Sequence, residues 1–180
     1  MFSKKMYIKG YNESKKLRDI NLDTYKPKRG GCIPYLIAES DIYFCVGMDS
    51  KFKELTDFGG GISYKKNKDE NFKNGALREF REETLGVFDS VDMSNIDNSV
   101  VVCSDSSSII FIPVKVDMNK IVNEFNKRIN KAKNSEISSI IWLDIKNFNE
   151  MLRDRDSNFY KVTRFTLLHS DDFYSLLRNE

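Results

Sequence analysis

The stretch that most constrains this chain is "FKELTDFGGG", a short strand ending in three glycines, followed after a polar loop by "ALREFREETLGVF" at 76–88. From 69 to 85 the apolar residues Phe72, Ala76, Phe80 and Leu85 recur at near-helical spacing. Arg78, Glu79, Arg81, Glu82 and Glu83 take the other faces, and Gly86 supplies a C-terminal stop. Glu79, Glu82 and Glu83 stand at i, i+3 and i+4, so their carboxylates project from one side of the helix. There they repel one another by a few tenths of a kcal/mol per pair. The plain account is a solvated acidic face with Arg78 and Arg81 as local partners, each pair contributing about 0.2–0.5 kcal/mol. The chemical account is a hard-oxygen cluster that a divalent cation would neutralise, since Mg and Mn prefer carboxylate oxygens.

The rest of the chain supplies a sheet and further helices. "CIPYLIAESDIYFCVGMD" reads as a hairpin split at 39–41. "SVVVCSD" and "SIIFIPVKV" read as paired strands, and "EISSIIWLDI" as another. "MNKIVNEFNKRINKAKN" places Ile121, Phe125 and Ile129 four apart, an amphipathic helix with a basic outer face. "KNFNEMLRDR" is a short helix. The end of the chain holds a strand or short helix and then a terminal helix capped at Ser170. The first thirty residues are polar, with "YIKGY" their strand-like piece. This order of elements predicts an α/β or α+β sandwich, a mixed sheet with helices on its faces.

Composition narrows the partners. The 180 residues are 40% hydrophobic, enough to bury a core as a single domain over residues 1–180 with extensions at both ends. A net charge of +2 does not describe a strongly basic nucleic-acid protein. Cys32, Cys45 and Cys103 form no CxxC pair and read as small core residues in a reducing, cytoplasmic setting. No apolar window approaches the length of a membrane span, so a soluble protein is expected. One histidine and scattered cysteines offer no zinc constellation, and no P-loop or dinucleotide fingerprint occurs. His169 reads as a surface or cap residue, and Trp142 as a sheet residue.

The glutamate segment resembles the signature of the Nudix hydrolases, G-x5-E-x7-R-E-U-x-E-E-x-G-U, where U is apolar. Glu70 stands with seven residues between it and Arg78, "REFREE" supplies Arg78, Glu79, Phe80, Glu82 and Glu83, and Gly86 and Val87 close the pattern. Two departures occur: "TLG" holds one residue more than the family's x-G, and the loop over 60–70 is about four residues longer than usual. The resemblance covers about residues 27–150 and implies a Nudix-like α/β/α sandwich with a mixed central sheet. It implies Mg2+ or Mn2+ held by Glu82, Glu83 and Glu79, the last a ligand or an aid to water activation, with a backbone carbonyl of Gly59 or Gly60. Glu70 would pair with Arg78 to hold loop and helix in register, and Glu136 would bind metal or serve as base. Arg29, Lys65 and Lys66 are the cations that would meet substrate phosphates, although loop lysines are more commonly solvated.

The implied activity is hydrolysis of a phosphoanhydride in a nucleoside diphosphate linked to a group X. The choice of X is open among ADP-ribose, dinucleoside polyphosphates, nucleoside triphosphates, diphosphoinositol polyphosphates and capped RNA. For RNA, the physical support is the helix carrying Lys120, Lys127, Arg128, Lys131 and Lys133 together with "KPKR", set against a merely solvated face. The alternative class is a non-catalytic Nudix-like module that binds a nucleotide or a protein.

Overall fold

The computed structural model describes residues 12–65 and 68–179; "YIKGY" and Lys66 lie outside them. Its centre is a mixed sheet of β1 (Glu13–Lys16), β2 (Arg29–Ala38), β3 (Asp41–Asp49), β4 (Leu55–Thr56), β5 (Phe58–Gly61), β6 (Val100–Cys103), β7 (Ser107–Pro113) and β8 (Ile137–Asp144). The strand path runs β1-β6-β7-β2-β3-β4, with β5 on β2 and β8 on β3. β2 and β7 run parallel and the other pairs antiparallel. β2 and β3 form the expected hairpin, with Ala38 opposite Asp41 and the two turn residues Glu39 and Ser40 at φ of 52° and 69°. Positive φ at both central positions gives the turn the twist of the strands it joins.

Helices cover both faces. α1 (Phe72–Glu83) and α2 (Met118–Ile129) lie on one, and α3 (Ile145–Arg153), α4 (Lys161–Leu168) and α5 (Phe173–Arg178) on the other. Successive residues of a strand point to opposite faces, so each central strand feeds two cores at once. Along β7, Ile110 and Ile112 join the core under α1 and α2, while Ile109 and Phe111 join the core under α3, α4 and α5. Cys32 and Cys45 pack in the first core and Ile33, Phe44 and Val46 in the second. This double coverage is why "CIPYLI" and "SIIFIP" read as nearly unbroken apolar runs. The expected mixed α/β sandwich is the fold that forms.

Three local expectations are refined. α1 begins at Phe72, three residues inside the range predicted from periodicity, because Asn71 caps it by accepting a hydrogen bond from the Asn74 amide at 3.0 Å. It ends where Leu85 and Gly86 both take positive φ. The terminal helix is capped by Asp172 rather than Ser170: Asp172 accepts from the Ser175 amide, three residues on. The Ser170 hydroxyl instead donates to the Leu167 carbonyl, at the end of α4. The segment read as strand or short helix is α4 itself. Cys32 and Cys45 are buried and Cys103 is half-buried; burial pushes all three thiols up, Cys103 to about 11. Among the described residues no helix is long and apolar enough to cross a membrane.

Phe111 is fully buried, meets Phe44 edge-on at 5.8 Å and stacks on Phe173 of α5 at 4.9 Å. Phe111→Ala is expected to cost about 3–5 kcal/mol. Urea unfolding checks this, the midpoint falling while the slope stays unchanged.

Candidate active site

β4 pairs with the end of β3, whereas β5 pairs with the start of β2, and the single residue between them is Asp57. Its side chain is fully buried. A carboxylate there must be both paired and hydrogen-bonded. Arg29 meets it with two bonds, Nη1 to Oδ2 at 2.8 Å and Nη2 to Oδ1 at 2.9 Å. The Thr163 hydroxyl, from α4, and the Thr56 hydroxyl both donate to Oδ1. Burial opposes the charge on Arg29, but the adjacent Asp57 carboxylate outweighs it and raises the guanidinium pKa. The Tyr160 ring, one residue before α4, closes the other side of the guanidinium at 5.4 Å. A Cβ on Gly31 would collide with Asp57 Oδ2, which is why β2 carries glycine opposite Gly59.

β5 then runs past the C-terminal half of α1. Glu83 is only 9% exposed and accepts a hydrogen bond from the Gly59 amide at 2.6 Å. Burial, reinforced by the negative charges of Asp57 and Glu136, pushes its carboxyl up to about 9, with the Gly59 amide and Arg29 acting in the opposite direction. Two buried carboxylates, Asp57 and Glu83, thus lean on one guanidinium that is already committed to the first. Glu79 lies against Gly60, where a Cβ would come within 2.5 Å of its carboxylate. Glu82 projects outward, its side chain 57% exposed.

Arg78 organises the outer part of this surface. Its Nε and Nη2 donate to Asp69 at 2.8 and 2.9 Å, Nη1 reaches Glu79 at 2.7 Å and Glu82 at 3.3 Å, and Nη2 also reaches the Gly61 carbonyl at 3.2 Å. The sequence expectation that Glu70 pairs with Arg78 is therefore corrected. Asp69 is buried and Glu70 exposed, because the chain entering the Asn71 cap turns residue 69 inward and residue 70 out. Asp69 further accepts from the Ser63 amide at 2.8 Å, closing the loop back on itself. The Arg78 bonds hold the Asp69 carboxyl below the usual range, against the effect of burial, and the Arg78 guanidinium is raised in turn.

Two depressions meet at Glu83 and Glu136. One also holds Glu79 and Glu82; the other, a cleft of about 380 Å³, also holds Arg29 and Gly59, Gly60 and Gly61. Glu136 sits exposed in the loop before β8 and belongs to both. Lys65 is exposed in the loop over 62–70. Of the basic residues on α2, Arg128 is engaged: it bonds Glu124 at 3.0 Å and the Leu85 carbonyl at 2.8 Å, bracing the turn after α1. Trp142 is half-buried and meets Phe88 edge-on, a sheet residue as expected. His169 is exposed at the end of α4 and stacks on Phe165.

The donor set suits a divalent cation in chemistry: carboxylates in excess of cations, one of them buried beside the glycines of β5. Among the described residues no three such side chains converge on one point as they stand. Glu79 and Glu82 are turned to Arg78, and Glu83 to the Gly59 amide. Sequence reasoning missed Asp57, Thr163 and Tyr160. The "TDFGGG" stretch contains Asp57 in plain view, but its partners stand 28 and 106 positions away.

Two predictions follow from this geometry. A carboxyl whose pKa is raised on folding, from 4.5 to about 9 for Glu83, contributes stability below the lower value that is lost as pH rises through the higher one. In chelator, wild-type stability should therefore fall across that interval by up to about 1.4 kcal/mol per pH unit. Glu83→Gln, neutral throughout and still able to accept the Gly59 bond, should melt higher than wild type at pH 8 and converge with it near pH 4.5. Parallel melting profiles for the two proteins would contradict the burial argument. Thr163→Val, which leaves Asp57 short of a donor, should cost about 1–3 kcal/mol in denaturant unfolding, with Thr163→Ser restoring most of it.

No family model matches the chain, and no curated protein matches it. Among solved structures it is similar to a C. elegans Ap4A hydrolase in a binary complex, at 13% identity over 86% of this chain and 99% of that one, with a TM-score of 0.46. It is also similar to the NUDIX domain of Shewanella oneidensis NrtR complexed with ADP ribose, at 10% identity over 91% and 94% of the two chains, with a TM-score of 0.43. Likeness at this level concerns the fold, and the reading of the site rests on this chain's own residues.

Proposed function

We propose that the protein is a Nudix-type hydrolase that adds water across a phosphoanhydride in a nucleotide-like substrate. The observation that carries this reading is the packing of the glutamate-bearing side of α1 along the glycines of β5. Glu79 and Glu83 lie against Gly60 and Gly59, and Glu136 reaches the same place from the loop before β8. A solvated acidic face would not need one of its carboxylates buried to 9% exposure.

Glu79, Glu82 and Glu83, with backbone carbonyls of Gly59 or Gly60, are the residues that would hold Mg2+ or Mn2+. Such a cation, when bound, supplies charge neutralisation for phosphate oxygens and lowers the pKa of a coordinated water. Arg29 is the cation the chain itself contributes to the cleft. Its bidentate bond to Asp57 fixes the guanidinium plane, and its remaining N–H groups would meet the substrate's phosphates. The glycines of β5 remove side chains from one wall, so phosphate oxygens approach the backbone closely. Lys65, exposed in the loop before Asp69, would add positive charge near the substrate. Among the described residues no hydrogen bond or ion pair engages the Glu136 carboxylate, whereas Glu79 is held by Arg78 at 2.7 Å. Glu136 is therefore the better placed of the two to take a proton from the attacking water.

The test is product release from ADP-ribose, diadenosine polyphosphates, nucleoside triphosphates, a diphosphoinositol polyphosphate and capped RNA, each with Mg, with Mn and with chelator. Turnover should require metal and vanish in Glu82→Gln, and Glu136→Gln should lower kcat by about 100-fold or more. An intact panel together with no Mn binding in equilibrium dialysis would make a non-catalytic binding module the better account.

A further inference from the structure

The sheet has two outer edges, and they are built differently. Tyr43 and Phe44 of β3 pair with β2 on one side and with β8 on the other, so β8 is the last strand at that end, as β1 is at the opposite end. β1 is four residues long and carries Glu13, Lys15 and Lys16. Asn12, just before it, is bonded to the His169 carbonyl and bridged to Ser170. Short length and charge are the means by which natural sheets keep an edge from pairing with another chain. β8 has neither. It runs for eight residues, Ile137–Asp144, without Lys, Arg or Pro, and its one charge stands at the last position. That charge is engaged, since Asp144 caps α3 and accepts from the Asn147 amide at 2.7 Å and from Nδ2 at 3.0 Å.

The pairing of β8 with β3 is regular from Asp144 opposite Tyr43 to Ser139 opposite Met48, and the irregularity at Met48/Asp49, which leaves Ser138 as the extra residue, comes only at the beginning of the strand. A strand paired on one side alone leaves every second N–H and C=O of its other side outside any ladder. Among the described residues no hydrogen bond from another segment reaches that outer side between Ser139 and Leu143. Apolar side chains run up to this open edge: Ile140 is buried, and Ile141, Trp142 and Leu143 are half-buried. A row of free backbone groups is satisfied by one kind of protein partner, an extended strand.

The residues along β8 say which strand fits. Residues directly opposite in an antiparallel pair lie on the same face of the sheet, so a two-fold axis through such a seam passes between two copies of one residue. Centred on Ile141, the axis sets Ile141 against its own copy, Ile140 against Trp142 and Ser139 against Leu143. Ile140 and Trp142 belong to the core under α1 and α2, and Ile141 and Leu143 to the core on the other face, so both cores continue across the seam. No charge faces another along it. Just outside the strand, exposed Glu136 precedes it and exposed Lys146 follows it. Antiparallel pairing brings Lys146 of each copy toward Glu136 of the other, twice by symmetry, so the flanks attract where the centre is apolar.

We propose that β8 is the seam of a symmetric dimer, in which a second copy of this chain pairs its own β8 antiparallel to the first and the two sheets become one. The seam is independent of the hydrolase reading, because the measurement that tests it involves no turnover. Sedimentation velocity on the full chain, from micromolar to millimolar protein, should show a monomer–dimer equilibrium. Ser139→Lys changes a polar position of the edge and sets a lysine against Leu143 of the other copy twice; it should weaken the dimer about tenfold or more. Lys146→Glu, at an exposed position in the first turn of α3 where a negative charge suits the helix, should also weaken it, and added salt should narrow its difference from wild type. Both variants should melt as wild type does at concentrations where all three are monomers. A chain that stays monomeric throughout, a dimer untouched by Ser139→Lys, or growth beyond the dimer would each overturn the seam. Weakening by Ser139→Lys alone would keep the edge and overturn the register. Slow hydrogen exchange of the outward β8 amides in a protein that stays monomeric would assign the edge to another segment of the same chain.

Discussion

The carboxylate of Asp57 is buried at the one-residue step where the chain passes from β4, paired with β3, to β5, paired with β2, and the position of almost everything near the cleft depends on how that charge is satisfied. Removing a carboxylate from water costs several kcal/mol unless it is paired and its remaining lone pairs are met. Arg29 from β2 supplies the charge, and Thr56 and Thr163 supply further donors. The consequences spread outward from this ion pair. Gly31 and Gly59 must lack side chains to leave room for it. Arg29 is fixed at the cleft wall under Tyr160. Helix α4 is joined by a side-chain bond from Thr163 to Asp57, between β4 and β5, so residues far from the glutamate segment become part of its support.

A second network, around Arg78, does for the outer surface what Asp57 does for the interior. One guanidinium spans Asp69, Glu79, Glu82 and the Gly61 carbonyl, relieving the repulsion among carboxylates that crowd the same helical face. The two networks treat their acids differently. Around Arg78 the carboxylates, buried Asp69 and the more open Glu79 and Glu82, are compensated by the guanidinium. Glu83, deeper and beside Asp57, is not fully compensated, and burial pushes its carboxyl up to about 9.

Much of this was legible from residue order. The apolar runs of β2 and β7 signalled strands, and the spacing of Phe72, Ala76 and Phe80 signalled α1; that both faces of those strands are covered is seen only in the fold. The order of Glu79, Glu82 and Glu83 behind three glycines marked the place where chemistry would be sought. Errors arose where a decision turned on one residue. Glu70 and Asp69 are adjacent acids, and only the turn into the Asn71 cap decides which of them faces Arg78. Ser170 and Asp172 are both good capping residues, and the start of α5 settles on the one three positions before Ser175.

What the sequence alone determined is therefore local: periodicity, turn chemistry and the identity of a motif, all carried by residues within a turn or two of one another. What the tertiary structure decided is pairing across distance. Asp57 reads as an unremarked acid until Arg29 and Thr163 are brought to it across 28 and 106 positions. Phe52 reads as one apolar residue in a polar turn until the edge of β4 sets it in the same cleft as Tyr160. Burial and long-range hydrogen bonding decide these assignments, and neither has a period that a single chain of letters can display.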